Sequence, residues 1–177
     1  MTIDDLDRVI RTVLISQSEL PARFVRNASS AYGTDLDKRL LDEVFDSIET
    51  DDVLMLFENN VDAQDDNVSM TESNDDMTYY LTFKTTVTLY GDRGADVAVK
   101  TIARLRSELV RLKLQSNDVF VKDVTNPVVL REFKNNVLWT RHNFELSYAV
   151  KLTINSVEES YDVQTIDVTV IPLDETT

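Results

Sequence analysis

A single histidine, His142, the acids Asp62, Asp65, Asp66 and Glu72, and a Gly91-Asp-Arg-Gly94 turn are the residues of this chain whose types could do chemistry. A histidine base works beside a nucleophile, with a third group to orient it. His142 shares its strand face with Phe144 and Leu146, which points to a packed or rim histidine. With one histidine and no cysteine, a tetrahedral zinc site of nitrogen and sulfur ligands is not expected. The four acids offer hard oxygen ligands for calcium. An EF-hand loop, however, places acids at alternate positions around a central glycine and closes on a glutamate. Asp62, Gln64, Asp66, Val68 and Met70 break that pattern, and residues 58–76 contain no glycine. The glycine turn precedes a helix start, as phosphate-binding loops do, but it has neither the Walker lysine nor dinucleotide spacing. Its simpler reading is a strand-to-helix turn that needs positive φ. No catalytic residue, metal or cofactor is expected.

These side chains sit on an acidic scaffold. The 177 residues carry 18 basic and 32 acidic side chains, a net charge of −14, with 42% hydrophobic content and no cysteine. That size suits one domain with a proper core. The surface charge repels phosphate backbones and argues against duplex gripping, though a conduit for sliding DNA also wants negative walls. No run of eighteen apolar residues is present, so no membrane span is expected. The acidic start, MTIDDLDRVI, differs from the basic start of a signal peptide, so export is not expected either.

The elements that must position the side chains follow from periodicity. Ile3, Leu6, Ile10 and Val13 form one apolar stripe, which predicts a helix over 3–17 that Pro21 keeps from continuing. Residues 22–33 read as a connector, and Leu36, Leu40, Val44 and Ile48 predict a second helix over 35–49. The VLMLF run at 53–57 reads as a buried strand. Residues 58–76 hold seven acids and no base, and predict a flexible acidic arm. Residues 78–90 alternate again, with Tyr79, Leu81, Phe83, Val87 and Leu89 on one face, so the strands around the arm should pair as a long hairpin. A seam of Ala95, Ala98, Ile102, Leu105, Leu109 and Leu112 predicts one helix over 95–113. A short strand at 119–124, a loop at 127–137 and a last strand at 163–171 complete the reading. Within Leu138–Ile154, His142, Phe144, Leu146, Tyr148, Val150, Leu152 and Ile154 share one face of an unusually long, half-buried strand. The fold class is α+β: a mainly antiparallel sheet with a long hairpin and helices packed on one face, in one domain spanning 1–177. Only the strand after the central helix has reason to run parallel to its predecessor.

Residues 77–171 resemble the tail-terminator and neck-terminator proteins of long-tailed bacteriophages. The matching positions are Tyr90 and Gly91 at a strand-ending turn, Ala95 at the following helix start, Trp139, Arg141 and Phe144 in the long strand, and Ile166 and Val168 in the last. The resemblance implies a structural virion protein of the neck, assembled in the host cytoplasm. It would form a homo-oligomeric ring, most often of six subunits, that caps the tail tube protein and meets a head-side connector or stopper protein. Genomic DNA would pass through without specific binding. A head-side stopper, a tail tube subunit or, from another class, a metal-dependent hydrolase are the alternatives.

Charge and residue type suggest subunit contacts. Residues 95–113 carry Lys100, Arg104, Arg106, Arg111 and Lys113 against Asp96 and Glu108, a local excess of base. Lys100, Arg104 and Arg111 are therefore candidate contacts to an acidic partner, the next subunit with Asp62, Asp65 and Asp66 of its arm or the tail tube, the plainer reading being a solvated helix face. Trp139 is either a core anchor or an interface hot spot, with Arg141 beside it.

Overall fold

Two long alternating strands form the spine of the protein. In the computed structural model, which describes residues 3–28, 45, 52–61, 69–73, 76–134 and 136–155, strand β4 spans Asp76–Tyr90 and β7 spans Val137–Asn155. They pair antiparallel without a register shift from Asp76↔Asn155 to Tyr90↔Arg141. The alternation in β7 has the expected consequence: His142, Phe144, Leu146, Tyr148 and Val150 are buried while the residues between them are half-exposed.

Five shorter strands complete a seven-stranded sheet: β1 (Val25–Asn27), β2 (Leu54–Val61), β3 (Ser69–Ser73), β5 (Val119–Val124) and β6 (Val128–Lys134). Its main order is β1-β2-β4-β7-β5, with β3 beside β4 and β6 beside β7. The pairs are antiparallel except β1 with β2. Thus β5, which follows the central helices, does point the same way as β4, but β7 lies between them. The directly paired parallel strands are instead β1 and β2, and β1 lies in the stretch read as a connector.

The expected long hairpin is present, and it absorbs part of the acidic arm. Strand β2 continues to Val61, opposite Phe83, and β3 resumes opposite Tyr80 along the same side of β4. Within 58–76, residues 58–61, Ser69–Ser73 and Asp76 are therefore strand rather than mobile loop. The physical reason is the template: β4 offers a continuous row of backbone groups that even a polar strand can satisfy. Asp62, Asp65 and Asp66 lie outside the described residues. So do most of the expected helix at 35–49 and all of the expected strand at 163–171; only Phe45, helical and buried, is described from the former.

Helices α1 (Ile3–Ser18), α2 (Gly94–Leu105) and α3 (Glu108–Gln115) cover one face of the sheet. Leu6, Ile10, Val13 and Leu14 of α1 meet Ala98, Ile102 and Leu105 of α2 in a core that includes Phe57, Val87, Phe144 and Tyr148. α1 ends before Pro21, with Glu19 at a positive φ of 60°.

The single helix expected over 95–113 is two. Ser107 is extended (φ −68°, ψ 145°) and starts α3 as its N-cap residue. Its hydroxyl and amide both bond to the Arg104 carbonyl, at 2.6 and 2.9 Å. Arg106 meanwhile reaches the Val124 carbonyl at 2.6 Å. These bonds satisfy groups that a helix break would otherwise strand. The break also turns α3 about its axis, so Val110 and Leu114 are buried and Leu109 and Leu112 face solvent.

The expected loop at 127–137 is a strand and a tight turn. β6 pairs with the start of β7 from Val128↔Asn143 to Lys134↔Val137, and Asn136 supplies the positive φ of 61° that a two-residue hairpin turn needs.

Candidate assembly surface

The hairpin formed by β6 and the start of β7 projects past the main sheet. The last β4 residue is Tyr90, opposite Arg141, so Val137–Thr140 have no β4 neighbour, and β6 pairs only with β7. On this two-stranded ribbon Val128, Val129, Leu130, Phe133, Val137 and Leu138 are all exposed, Phe133 by 73%. Exposed apolar side chains on both faces of a ribbon that no further strand flanks among the described residues make it a candidate interaction surface. The sequence held the signal, VVLREF and VLWTR flanking Asn135-Asn136, but without strict alternation of polar residues it reads as loop.

The root of the hairpin is firmly built. Trp139 is buried on the sheet face opposite the main core, with Leu54, Leu56 and Tyr90. Phe45 stands edge-on to Tyr90 (centroids 4.9 Å apart) and to Trp139 (5.6 Å). Across the ribbon, Glu132 accepts a 2.7 Å bond from Arg141 and a 3.1 Å bond from the Tyr90 hydroxyl. Burial pushes the Tyr90 hydroxyl up to about 12, so it remains a donor at neutral pH. Trp139 is thus a core anchor within its own subunit, and Arg141 is engaged in a half-buried ion pair beside it.

The basic residues of the central helices are distributed differently. Arg104 donates to the Gln17 carbonyl at 2.7 Å and to Glu19 at 2.6 Å, which ties α2 to the end of α1. Arg111 lies 3.4 Å from the carbonyls of Val121 and Lys122, and Lys100 is exposed. Asp62, Asp65 and Asp66, their suggested partners, lie outside the described residues.

A half-buried polar network between α1 and the sheet carries no sequence signal. Asp7 accepts bonds from Asn27 and from Asn59, the latter at 2.6 Å. Asn59 in turn accepts from Thr85 and, at 3.1 Å, from the Tyr148 hydroxyl. It links α1, β1, β2, β4 and β7, and burial raises the Tyr148 pKa well above its ordinary value. An isolated Thr85 in a run of threonines, or an Asn59 in an acidic stretch, carries no sequence signal for such a role. His142 is buried and its pKa is lowered by burial, so it is neutral at pH 7. Among the described residues no group of three or more acids or histidines is placed to hold a metal, and no helix is long and apolar enough to cross a membrane.

Residues 46–176 match the family model described as phage neck terminator protein. The chain belongs to that family. The match takes in the whole spine, the central helices and the projecting hairpin, and agrees with the resemblance drawn from Tyr90, Gly91, Trp139 and Arg141. No curated protein is similar enough to this chain to count as a match.

Proposed function

We propose that the protein forms a ring, of six copies in the simplest case, that seats on the last ring of the tail tube, stops its growth and joins the tail to the head. The observation that carries this reading is the neck-terminator family match over residues 46–176. The projecting apolar hairpin supports it, because a ring needs a surface that a lone subunit leaves uncovered. The role is structural: one ring face matches the growing tube end and the other does not present that end again. Its partners are further copies of itself, the tail tube protein and a head-side connector or stopper, and its place is in the virion.

Genome passage fits the charge. At −14 per chain, a six-membered ring carries more acid than its interfaces can pair, so part of it faces solvent, outside or in the bore. A negative bore costs little against duplex DNA where the Debye length is about 8 Å, whereas a basic bore would hold phosphates and stall transit.

The test uses purified full-length protein. Native mass measurement and negative-stain images should give closed rings, and adding those rings to polymerising tail tube protein should yield shorter tubes with a ring on one end. Long tubes of the protein itself would make it a tube subunit instead. A compact monomer that neither assembles nor shortens tubes would remove the reading.

A further inference from the structure

Two uncovered edges of the sheet sit at diagonally opposite corners and fit each other. β6 lies past the Tyr90 end of β4, beside β7 only, and β3 lies beside the Asp76 end of β4. Among the described residues no strand covers the outer edge of either. Such edges present backbone groups ready to pair with another chain. Chain direction agrees. β7 runs against β4 and β6 against β7, so β6 points with β4, whereas β3 points against it. A sheet continued from β3 of one copy into β6 of another, both facing the same way, is therefore antiparallel.

Backbone phase selects the register. The Gly91 amide donates to the Thr140 carbonyl, which extends the unshifted β4–β7 ladder, so the odd-numbered β4 residues bond to β7. The even-numbered Asp76, Thr78 and Tyr80 then bond to Ser73, Thr71 and Ser69. That leaves the amides and carbonyls of Met70 and Glu72 at the open edge. By the same alternation Val128, Leu130, Glu132 and Lys134 bond to β7, and Val129, Arg131 and Phe133 turn their backbone groups outward. Setting Arg131 opposite Glu72 brings outward groups to outward groups and lays Leu130–Lys134 along the whole of β3. The same register sets Phe133 opposite Met70. Opposite-charge and aromatic cross-strand pairs are both favourable, and a thioether suits an aromatic ring. Register also puts both pairs on one side of the sheet, that of Val87 and Phe144. Arg131 and Phe133 are exposed, whereas Glu132 is already held by Arg141 and Tyr90. The wider charge agrees: residues 58–76 hold seven acids and no base, and residues 128–141 hold three bases and one acid.

We propose that β6 of one copy adds antiparallel to β3 of the next, with Arg131 opposite Glu72 and Phe133 opposite Met70, so that the sheet runs on from subunit to subunit.

The chain cannot make this contact with itself. Arg131 stands level with Gly91, through Thr140, and Glu72 stands level with Met77. Those levels are fourteen residues apart along one continuous ladder, roughly 46 Å at the rise of an extended strand. The partner is therefore a second copy. Because the two edges differ, the contact is head-to-tail, the kind that closes into a ring when its rotation divides the circle. The inference deepens the ring reading and rests on it only in requiring that copies of the chain meet.

The absence of native cysteine makes the test clean. Full-length chain carrying both Arg131→Cys and Glu72→Cys is assembled, gently oxidised and run on a denaturing gel. A ladder of covalent multimers is expected, since paired strands bring Cα atoms within the roughly 4.4–6.8 Å that a disulfide spans. Phe133→Cys with Met70→Cys should give the same ladder. Arg131→Cys with Thr71→Cys, which register puts on opposite sides of the sheet, should stay monomeric on the gel. Arg131→Glu or Glu72→Arg alone should weaken association about tenfold, and the two together in one chain should restore most of it. Rings that give no ladder with either in-phase pair, or ladder equally with the out-of-phase pair, overturn the inference and leave the ring reading standing. Single charge reversals that associate like the native chain overturn it as well. Ladders in an assembly that fails to shorten tubes would overturn the capping role and leave the inference standing.

Discussion

The His142 ring occupies the space that any side chain on residue 94 would need: a Cβ on Gly94 would stand 2.8 Å from His142 Cδ2. Gly94 opens α2 directly after the Gly91 turn, where Gly91 has a φ of 116° and accepts a 2.9 Å bond from the Gly94 amide. The glycine at position 94 is thus a packing requirement between the first turn of α2 and β7. Gly94→Ala should cost about 1–3 kcal/mol through overpacking, although alanine is the better helix residue. In a His142→Ala background the same change should cost much less. Denaturant unfolding of the four chains in that cycle measures the coupling, and equal costs in both backgrounds would disprove the contact.

His142 also sets a pH dependence. Its folded pKa lies below its unfolded value of about 6.5, because burial disfavours the charged ring. The unfolded chain therefore takes up the proton first. The contribution is intact above about pH 6.5 and is lost as pH falls from there through the folded pKa. Urea unfolding of the native chain and of His142→Gln between pH 7.5 and pH 5 should show the native chain losing the extra stability. Parallel curves for the two chains would exclude the effect.

Tyr148→Phe should be destabilising although the ring fits the same space. It removes the donor at 3.1 Å from Asn59 Oδ1, with Tyr148 itself fully buried, a loss of about 1–2 kcal/mol. Because the network ties α1 to the sheet through Asp7, amide exchange in Ile3–Ser18 should rise in the variant. Exchange unchanged in α1 would show that the network does not hold the helix.

Arg104 and Arg111 should part company. Arg104 joins α2 to the Gln17 carbonyl and to Glu19, so Arg104→Gln should lower stability by about 1 kcal/mol, a modest figure because the Glu19 pair is solvent-screened. Arg111 is exposed with only long contacts, and Arg111→Gln should fall within about 0.5 kcal/mol of the native chain. Thermal unfolding compares them, and equal shifts would contradict the distinction.

Much of the architecture was legible because burial repeats. The period of two in His142–Val150 and in the second half of β4, and the three-and-four spacing in α1 and α2, each describe a face that had to be covered. What escaped was decided by single bonds or by context. Asn59 and Thr85 are polar residues that pair with each other and with Asp7 of α1 and Tyr148 of β7. The β6 hairpin is apolar on both faces and so shows no alternation to read. Arg104 shows the limit of reading charge: the sequence marks it as a base on a helix, and only the structure shows that it ties α2 to the Gln17 carbonyl and Glu19 of its own chain.

The helix break gives the sharpest case. A continuous seam through Ala95, Ala98, Ile102 and Leu105 continues by arithmetic to Leu109 and Leu112. The extended Ser107 resets the phase, so Val110 and Leu114 take the inward positions while Leu109 is 79% exposed. Leu114, fully buried, should cost about 2–5 kcal/mol as Leu114→Ala, and Leu109→Ala should change stability by less than about 0.5 kcal/mol. Replacing Ser107 by Ala removes the hydroxyl bond to the Arg104 carbonyl, for about 1 kcal/mol. It should do so without moving Leu109 inward, because the Arg106 bond to the Val124 carbonyl still holds the break open. Chemical denaturation of the three variants measures this order of costs: Leu114→Ala largest, Ser107→Ala intermediate, Leu109→Ala negligible. A large loss at Leu109 would mean that the helix runs unbroken and that the seam read from the sequence is the one the protein uses.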